Sequence, residues 1–255
     1  MERFDILSDS TCDLSQECCD SFGHTDYIRG YVHDGKKYSS QIDGVRAHRG
    51  AMPIVDVYLC AIPENVTLKP LLPAARNDEI DRVSNERVKV EKYCVWRLLE
   101  YALERSFGYR MEDLRFEKNG NGKWVCDKCE LSLSHCDGAV AVAVSRAPVG
   151  IDVETARPLS RERFAELILT EKEKECYGTL EDADRERFLI ALWTKKESLF
   201  KRDGEKHFSP SAIDTTVAKV CCGILKIDER EYFLSVATEI PESLRVYSNI
   251  NIFNR

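Results

Sequence analysis

The chain has 255 residues, 43% of them hydrophobic and 32% charged, with a net charge of −7. That length and composition bury a real core and allow one large domain or two of roughly 100–150 residues. The acidic balance argues against general nucleic-acid binding, which rests on a basic surface, and no run approaches the roughly 20 apolar residues of a membrane span.

Met1-Glu2-Arg3-Phe4-Asp5 lacks an apolar leader core, so a cytoplasmic setting is the expectation. The eleven cysteines are irregularly spaced, with doublets at Cys18-Cys19 and Cys221-Cys222. Without a secretion signal they read as free thiols in a reducing compartment. Cys126, Cys129, His135 and Cys136 have zinc-ligand chemistry. Against a zinc reading, Leu131-Ser132-Leu133-Ser134 alternates like a strand rather than a metal-binding turn.

Residues 1–50 are polar and follow no clear period. Ile54 to Ile62 reads as a buried strand, and a proline-containing loop runs from Pro63 to Pro73. Asn77 to Phe107 carries apolar residues three to four apart and predicts one long helix stopped by Gly108. Its other face holds Arg82, Arg87, Lys89, Lys92 and Arg97, the pattern of a solvated surface. Asp113 to Lys118 predicts a strand ended by the turn Asn119-Gly120-Asn121-Gly122. Lys123-Trp124-Val125 resumes the chain. Leu131 to Ser134, Ala139 to Ser145 and Val149 to Glu154 follow as strands.

Arg161 to Ile168 is helical, Thr170 caps a further helix, and Asp184 to Lys201 is a strongly amphipathic one closed by Gly204. Val217 to Ile227 and Tyr232 to Ala237 predict paired strands. The fold class is α+β.

Two motifs carry chemistry. In Gly150-Ile151-Asp152-Val153-Glu154, Asp152 and Glu154 are two apart on a strand and face the same way. Two such carboxylates repel unless a cation lies between them, and Mg²⁺ is the natural partner of oxygen ligands and phosphates. In Trp193 through Lys201, Glu197 and Lys201 are four apart on a helix and share a face. An exposed Glu–Lys pair at that spacing contributes only about 0.2–0.5 kcal/mol. Beside Asp152 and Glu154, however, Glu197 becomes a third metal-facing acid or a base, and Lys201 a counter-charge for phosphate. Ser134 and His135 fail as a nucleophile pair because neighbours on a strand face opposite ways. They suit anion binding instead.

In order, Gly122-Lys123, Ser132-Leu133-Ser134-His135, Val149 through Glu154 and Trp193 through Lys201 resemble the 4′-phosphopantetheinyl transferases of the Sfp-type branch. The pattern W-x-x-K-E-x-x-x-K is met at Trp193, Lys196, Glu197 and Lys201. The resemblance is specific over 112–204 and weaker over 76–111. It implies two similar α/β subdomains, 1–149 and 150–255, related by a pseudo-twofold axis. The active site would lie in the cleft between them, with the last strand free to pack back on the first half.

It further implies transfer of the phosphopantetheine arm of coenzyme A, the substrate, to a serine of an apo acyl or peptidyl carrier protein, releasing 3′,5′-ADP. Such carriers serve fatty-acid biosynthesis and secondary metabolism. By this likeness Asp152, Glu154 and Glu197 hold Mg²⁺, Glu197 is the base, and Lys201 contacts the pyrophosphate. Ser134 and His135 contact phosphate, His135 on the 3′-phosphate end, and Lys123 lies near the nucleotide. Arg76 and Arg82 rank first for the 3′-phosphate, ahead of Arg87, Lys89 and Lys92. The family often has an aromatic residue where Leu131 stands. A monomer that binds neither nucleic acid nor membrane completes the expectation. The alternatives are a Mg²⁺-dependent phosphohydrolase using the same acids and a zinc-stabilised binding module around the Cys126 cluster.

Overall fold

The computed structural model describes residues 31–33, 36–38, 54–155, 161–204, 207–215, 220–227, 229–240, 244–248, 250 and 252–253. The expectation for 1–50 falls almost wholly outside these, as do residues 217–219 of the strand predicted to begin at Val217.

The described elements are β1 (Tyr31–His33), β2 (Lys36–Tyr38), β3 (Val55–Ala61), α1 (Ala74–Asp81), α2 (Glu86–Phe107), β4 (Phe116–Lys118), β5 (Trp124–Cys126), β6 (Glu130–Cys136), β7 (Ala139–Ser145), β8 (Val149–Thr155), α3 (Arg161–Ile168), α4 (Glu171–Thr179), α5 (Asp182–Asp203), β9 (Val220–Ile227), β10 (Arg230–Thr238) and β11 (Leu244–Tyr247). Short 3₁₀ turns stand at Met111–Asp113 and Pro210–Ala212. The strands form a six-stranded sheet ordered β2-β1-β11-β3-β7-β6, a three-stranded sheet β8-β10-β9, and the pair β4-β5. The architecture is mixed α and β.

Alternation along β7 sets the layering. Val140, Val142 and Val144 face one way and pack with Trp96, Leu99 and Leu103 of α2. Ala139, Ala141 and Ala143 face the other way, against Ile151 and Val153 of β8. Small residues on that face let the two sheets stack, and both faces of β7 are dry, so no polar alternation marks it. Helix α5 covers the far side of the smaller sheet. There Thr194 Oγ1 meets Ser235 Oγ of β10 at 2.8 Å.

The helix expected over 77–107 is two helices. Asn85 ends the first run by capping the second, its side chain accepting the N–H groups of Arg87 (3.0 Å) and Val88 (3.3 Å). Gly108 closes α2 and Gly204 closes α5, both in the left-handed conformation that favours glycine. Thr170 caps α4 in a reciprocal box with Glu173. The strand expected from Asp113 begins only at Phe116, because Met111–Asp113 coil into the 3₁₀ turn.

Candidate active site

The site is built where β8, β6 and α5 meet. On β8, Val149, Ile151 and Val153 point into the inter-sheet core, so Gly150, Asp152 and Glu154 take the opposite face, toward α5. A Cβ at Gly150 would lie 1.9 Å from Ser198 O and 2.5 Å from Arg202 N. Only glycine lets the helix backbone come this close to the strand, and that approach brings Glu197 and Lys201 over Asp152.

β8 is an edge of its sheet, and two serines of β6 satisfy its outward amides. Ser132 Oγ accepts the Ile151 N–H at 3.0 Å and Ser134 Oγ accepts the Val153 N–H at 3.2 Å. The S-x-S spacing matches the two-residue period of the strand it serves. Side chains thereby stitch the two sheets together where backbone pairing stops.

Asp152, Glu154 and Glu197 each bring a carboxylate oxygen within 4.8 Å of the other two. Asp152 is 2% exposed. Its Oδ1 accepts from Ser134 Oγ at 2.7 Å and from Lys201 Nζ at 2.7 Å, while its buried Oδ2 has no hydrogen-bond partner among the described residues. An orphaned buried carboxylate oxygen turned toward two more acids is a fitting donor set for a hard divalent cation.

Burial, and then the charge of Glu197, push Asp152 up to about 8, against the pull of Lys201 and Ser134. Burial works against the Lys201 charge, yet Asp152, Glu197 and Glu154 outweigh it and raise that group too. Both shifts describe one coupled pair. The amine is the stronger base, so the proton stays on Lys201 and the pair is ionic. Lys201 lies 3.6 Å from Glu197 Oε1 and 3.3 Å from Ser134 Oγ.

Beside this cluster opens a cleft of about 320 Å³ lined by Arg76, Lys92, Asn121, Lys123, Trp124, Leu131, Ser132, His135 and Lys201, among others. The Asn119–Gly122 turn grips the end of α5. Asn121 Nδ2 donates to Gly204 O, and Lys123 Nζ donates to Lys201 O at 2.7 Å. Both satisfy carbonyls that a helix C-terminus leaves open, and the ammonium complements its dipole. Burial lowers the Lys123 pKa. His135 Nδ1 lies 3.1 Å from Glu91 Oε2. Burial first, then Lys92 and Lys201, lower the His135 pKa against the opposing pull of Glu91.

The structure thus gathers Asp152, Glu154, Glu197 and Lys201, and sets Lys123, His135 and Arg76 along the neighbouring cleft. Ser134 faces Asp152 and Lys201 rather than the cleft lining. Arg82 is exposed at the C-terminal cap of α1 and does not line the cleft. Lys92, ranked lower, does. Arg76 is 3% exposed. It bonds Glu79 (3.0 Å) and Lys92 O (2.6 Å) and lies over the Trp96 ring, so its guanidinium is partly committed to the wall. Arg87 pairs with Glu91 and Asp137, and Lys89 pairs with Glu86, both away from the cleft. Leu131 is buried against the cluster holding Trp96 and Trp124.

The zinc reading is corrected. Among the described residues the acidic trio is the only group of three or more His, Cys, Asp or Glu placed to hold a metal ion. His135 and Cys136 belong to the far end of β6, six and seven residues beyond Cys129 on an extended strand.

One position escaped the sequence pattern: Glu91, the partner of His135, sits in a helix face whose spacing singles out nothing. Lys196, named by the motif, proves structural and is wholly buried. It donates to Glu173 Oε2 (2.6 Å), Ile168 O (2.7 Å) and Pro210 O (2.9 Å), binding α4 and the 210–212 turn to α5.

A family model for the 4′-phosphopantetheinyl transferase superfamily matches residues 148–237. Among curated proteins, the 4′-phosphopantetheinyl transferase psf-1 of Bacillus pumilus is 31% identical over 111 residues, covering 42% of this chain and 47% of that protein. The 4′-phosphopantetheinyl transferase gsp of Aneurinibacillus migulanus is 32% identical over 100 residues, covering 39% of this chain and 42% of that protein. The chain spans about half the length of the curated relatives it matches. The family returned is the one the motifs resemble.

Proposed function

We propose that the protein transfers the 4′-phosphopantetheine arm of coenzyme A to a serine hydroxyl of an apo carrier protein and releases 3′,5′-ADP. The observation that carries this reading is the trio Asp152, Glu154 and Glu197 beside Lys201, opening onto a cleft with four more nitrogen bases or cations in an acidic protein. Coenzyme A has phosphate groups at both ends of such a cleft to engage. Basic residues concentrated there steer and hold them.

Asp152, Glu154 and Glu197 would hold Mg²⁺, and the ion would mask the negative charge on the pyrophosphate. Lys201 stabilises charge that develops on the departing phosphate oxygen. Glu197, only 25% exposed and facing Lys201, takes the proton of the carrier serine as its oxygen forms the new bond to phosphorus and the bond to 3′,5′-ADP breaks. Arg76, Lys92, Lys123 and His135 hold the nucleotide end. Ser134 acts by holding Asp152 and Lys201. In this reading the chain divides into halves 1–149 and 150–255 related by a pseudo-twofold axis, works as a monomer, and belongs in the cytoplasm. No helix among the described residues is long and apolar enough to cross a membrane.

The test is intact-mass spectrometry of apo carrier proteins incubated with the protein, Mg²⁺ and coenzyme A. One added phosphopantetheine arm, abolished by EDTA and by Asp152→Asn, is the expected result. Release of nucleotide from coenzyme A with no carrier gaining mass would favour the phosphohydrolase. Neither release nor coenzyme A binding would sink the reading.

A further inference from the structure

The wall of the cleft is backed by a carboxylate that the transfer chemistry does not use. Glu79 lies on α1, half-buried, and does not itself line the cleft. Four donors from four elements converge on it. Arg76 Nη1 of α1 reaches Oε2 at 3.0 Å, and Lys92 Nζ of α2 reaches Oε1 at 2.8 Å. Trp124 Nε1 of β5 donates to Oε2 at 2.8 Å, and Lys118 Nζ of β4 lies 3.1 Å from the same oxygen. Arg76, Lys92 and Trp124 all line the cleft.

The geometry around this carboxylate is held from several sides. Arg76 Nη2 donates to Lys92 O at 2.6 Å, and its guanidinium lies 4.8 Å over the Trp96 ring. Lys118 Nζ lies 5.3 Å over the Trp124 ring, and the two indoles meet edge to face at 5.0 Å. Burial opposes the charge on Glu79, yet Lys92, Arg76, Trp124 and Lys118 hold its carboxyl down to about 2. One ionised acid thus faces three cations, which leaves the wall positive. Arg76 Nε, also buried, has no hydrogen-bond partner among the described residues. A wall that keeps excess positive charge and an open donor is prepared for an anion.

We propose that Glu79 is a positioning residue for the 3′-phosphate of coenzyme A, acting from behind the cleft wall by holding Lys92 and Arg76 in place. The proposal rests on the transferase reading and deepens it. Lysine and arginine carry long side chains with many rotamers, and a ligand that must order them binds more weakly. Glu79 orders them beforehand and needs no contact with the ligand.

Charge and position predict opposite signs for its loss. Glu79→Gln removes the one acid among three cations, so on charge alone every anionic ligand should bind more tightly. If Glu79 positions the cations, the phosphate that Lys92 and Arg76 meet should lose affinity selectively.

The test is calorimetry of 3′,5′-ADP and 5′-AMP on the full-length protein and its variants, with folding checked by circular dichroism. The ratio of the two dissociation constants isolates the 3′-phosphate. The parent should favour 3′,5′-ADP, and Glu79→Gln should shrink that preference about tenfold, since the ligand must then order two long side chains. Lys92→Met should shrink it too. Adding Glu79→Gln to Lys92→Met should cost less than Glu79→Gln costs alone, because residues that act through one another are not additive. A preference unchanged or increased in Glu79→Gln, even where both nucleotides weaken equally, would overturn the proposal, and so would full additivity with Lys92→Met. Where Glu79→Gln does not fold, Glu79→Asp decides. It keeps the charge and shortens the arm, so positioning gives a partial loss of preference and charge alone gives none. A parent without preference for 3′,5′-ADP would sink the nucleotide-end reading and this proposal with it, whereas a preference that Glu79→Gln leaves intact would remove Glu79 alone.

Discussion

Lys196 offers the sharpest test of how the motif works. It lies one residue before Glu197, yet its ammonium is wholly buried on three acceptors and touches nothing in the cleft. Lys196→Met keeps the stem and removes the charge. It strands the Glu173 carboxylate, itself 1% exposed, and two backbone carbonyls. Breaking a buried pair by removing one partner costs about 3–5 kcal/mol. Here Glu173 retains the Thr170 N–H at 2.8 Å and the Thr215 hydroxyl at 3.1 Å, which places the loss near the lower end, about 3 kcal/mol. That is a large share of a typical stability of about 5–15 kcal/mol. At roughly 2–4 °C per kcal/mol for a chain of this size, the melting temperature should fall by about 10 °C. Urea denaturation gives the loss, and Lys196→Met combined with Glu173→Gln should recover about half, since no stranded charge remains. Turnover of the folded variant, measured well below its melting point, should stay within about tenfold of the parent. A stability loss under about 1 kcal/mol would refute the clasp. A loss of turnover beyond about 100-fold in fully folded protein would move Lys196 into the chemistry.

Gly150→Ala pushes α5 off β8, because the new Cβ meets backbone atoms that cannot swing away. It should cost about 1–3 kcal/mol and, by displacing Glu197 from Asp152 by about 1 Å, about 100-fold in transfer rate; normal transfer would refute the close-approach argument. Ser132→Ala leaves the Ile151 N–H buried and unpaired and should cost about 1–3 kcal/mol in urea denaturation, while Ser132→Thr, which keeps a hydroxyl, should recover part of it. His135 is held below its usual pKa in the free protein, and its Nδ1 lies 3.1 Å from the Glu91 carboxylate; an ionised carboxylate only accepts, which assigns the ring proton to Nδ1 and leaves Nε2 of the neutral ring as an acceptor. A phosphate there must bring a proton with it. The preference for coenzyme A over dephospho-coenzyme A, read by calorimetry at a series of pH values, should therefore grow as pH falls from 8 to 6 and vanish in His135→Ala. A pH-independent preference would remove His135 from the 3′-phosphate.

What the sequence made legible is what alternation and spacing encode locally. Asp152 and Glu154 share a face because strands repeat every two residues, and Glu197 and Lys201 because helices repeat every three to four; both hold in the structure. Caps at Thr170, Gly108 and Gly204 are equally local and equally readable. The break at Asn85 was not, since the apolar period runs on through it and only the asparagine side chain marks the new start. Arg82 and Lys92 lie on one predicted basic face, and periodicity cannot say which end of that face meets a cleft formed by β6 and α5. Lys196 reads as a motif lysine beside a catalytic candidate. Its burial depends on α4 and the 210–212 turn, whose approach no spacing within α5 foretells.

The same non-local logic explains why the acidic trio needs residues that do no chemistry. The carboxylates come from a strand and a helix, so their separation is set by how closely those backbones pack. Gly150 fixes that approach from the strand side. Ser132 and Ser134 fix the strand from β6, by hydroxyls placed where an edge strand would otherwise leave amides open. Ser134 adds a bond to Asp152 itself. A hydroxyl that bonds both the strand amide and the carboxylate ties the position of the ligand to the position of the backbone that carries it. Ser134→Ala should therefore loosen Asp152 more than it loosens the fold. Metal affinity, read by calorimetry with Mg²⁺ on the folded variant, should fall about 10–100-fold, as for other partners that orient a ligand. An affinity unchanged by Ser134→Ala would mean that Asp152 is held by Lys201 and burial alone.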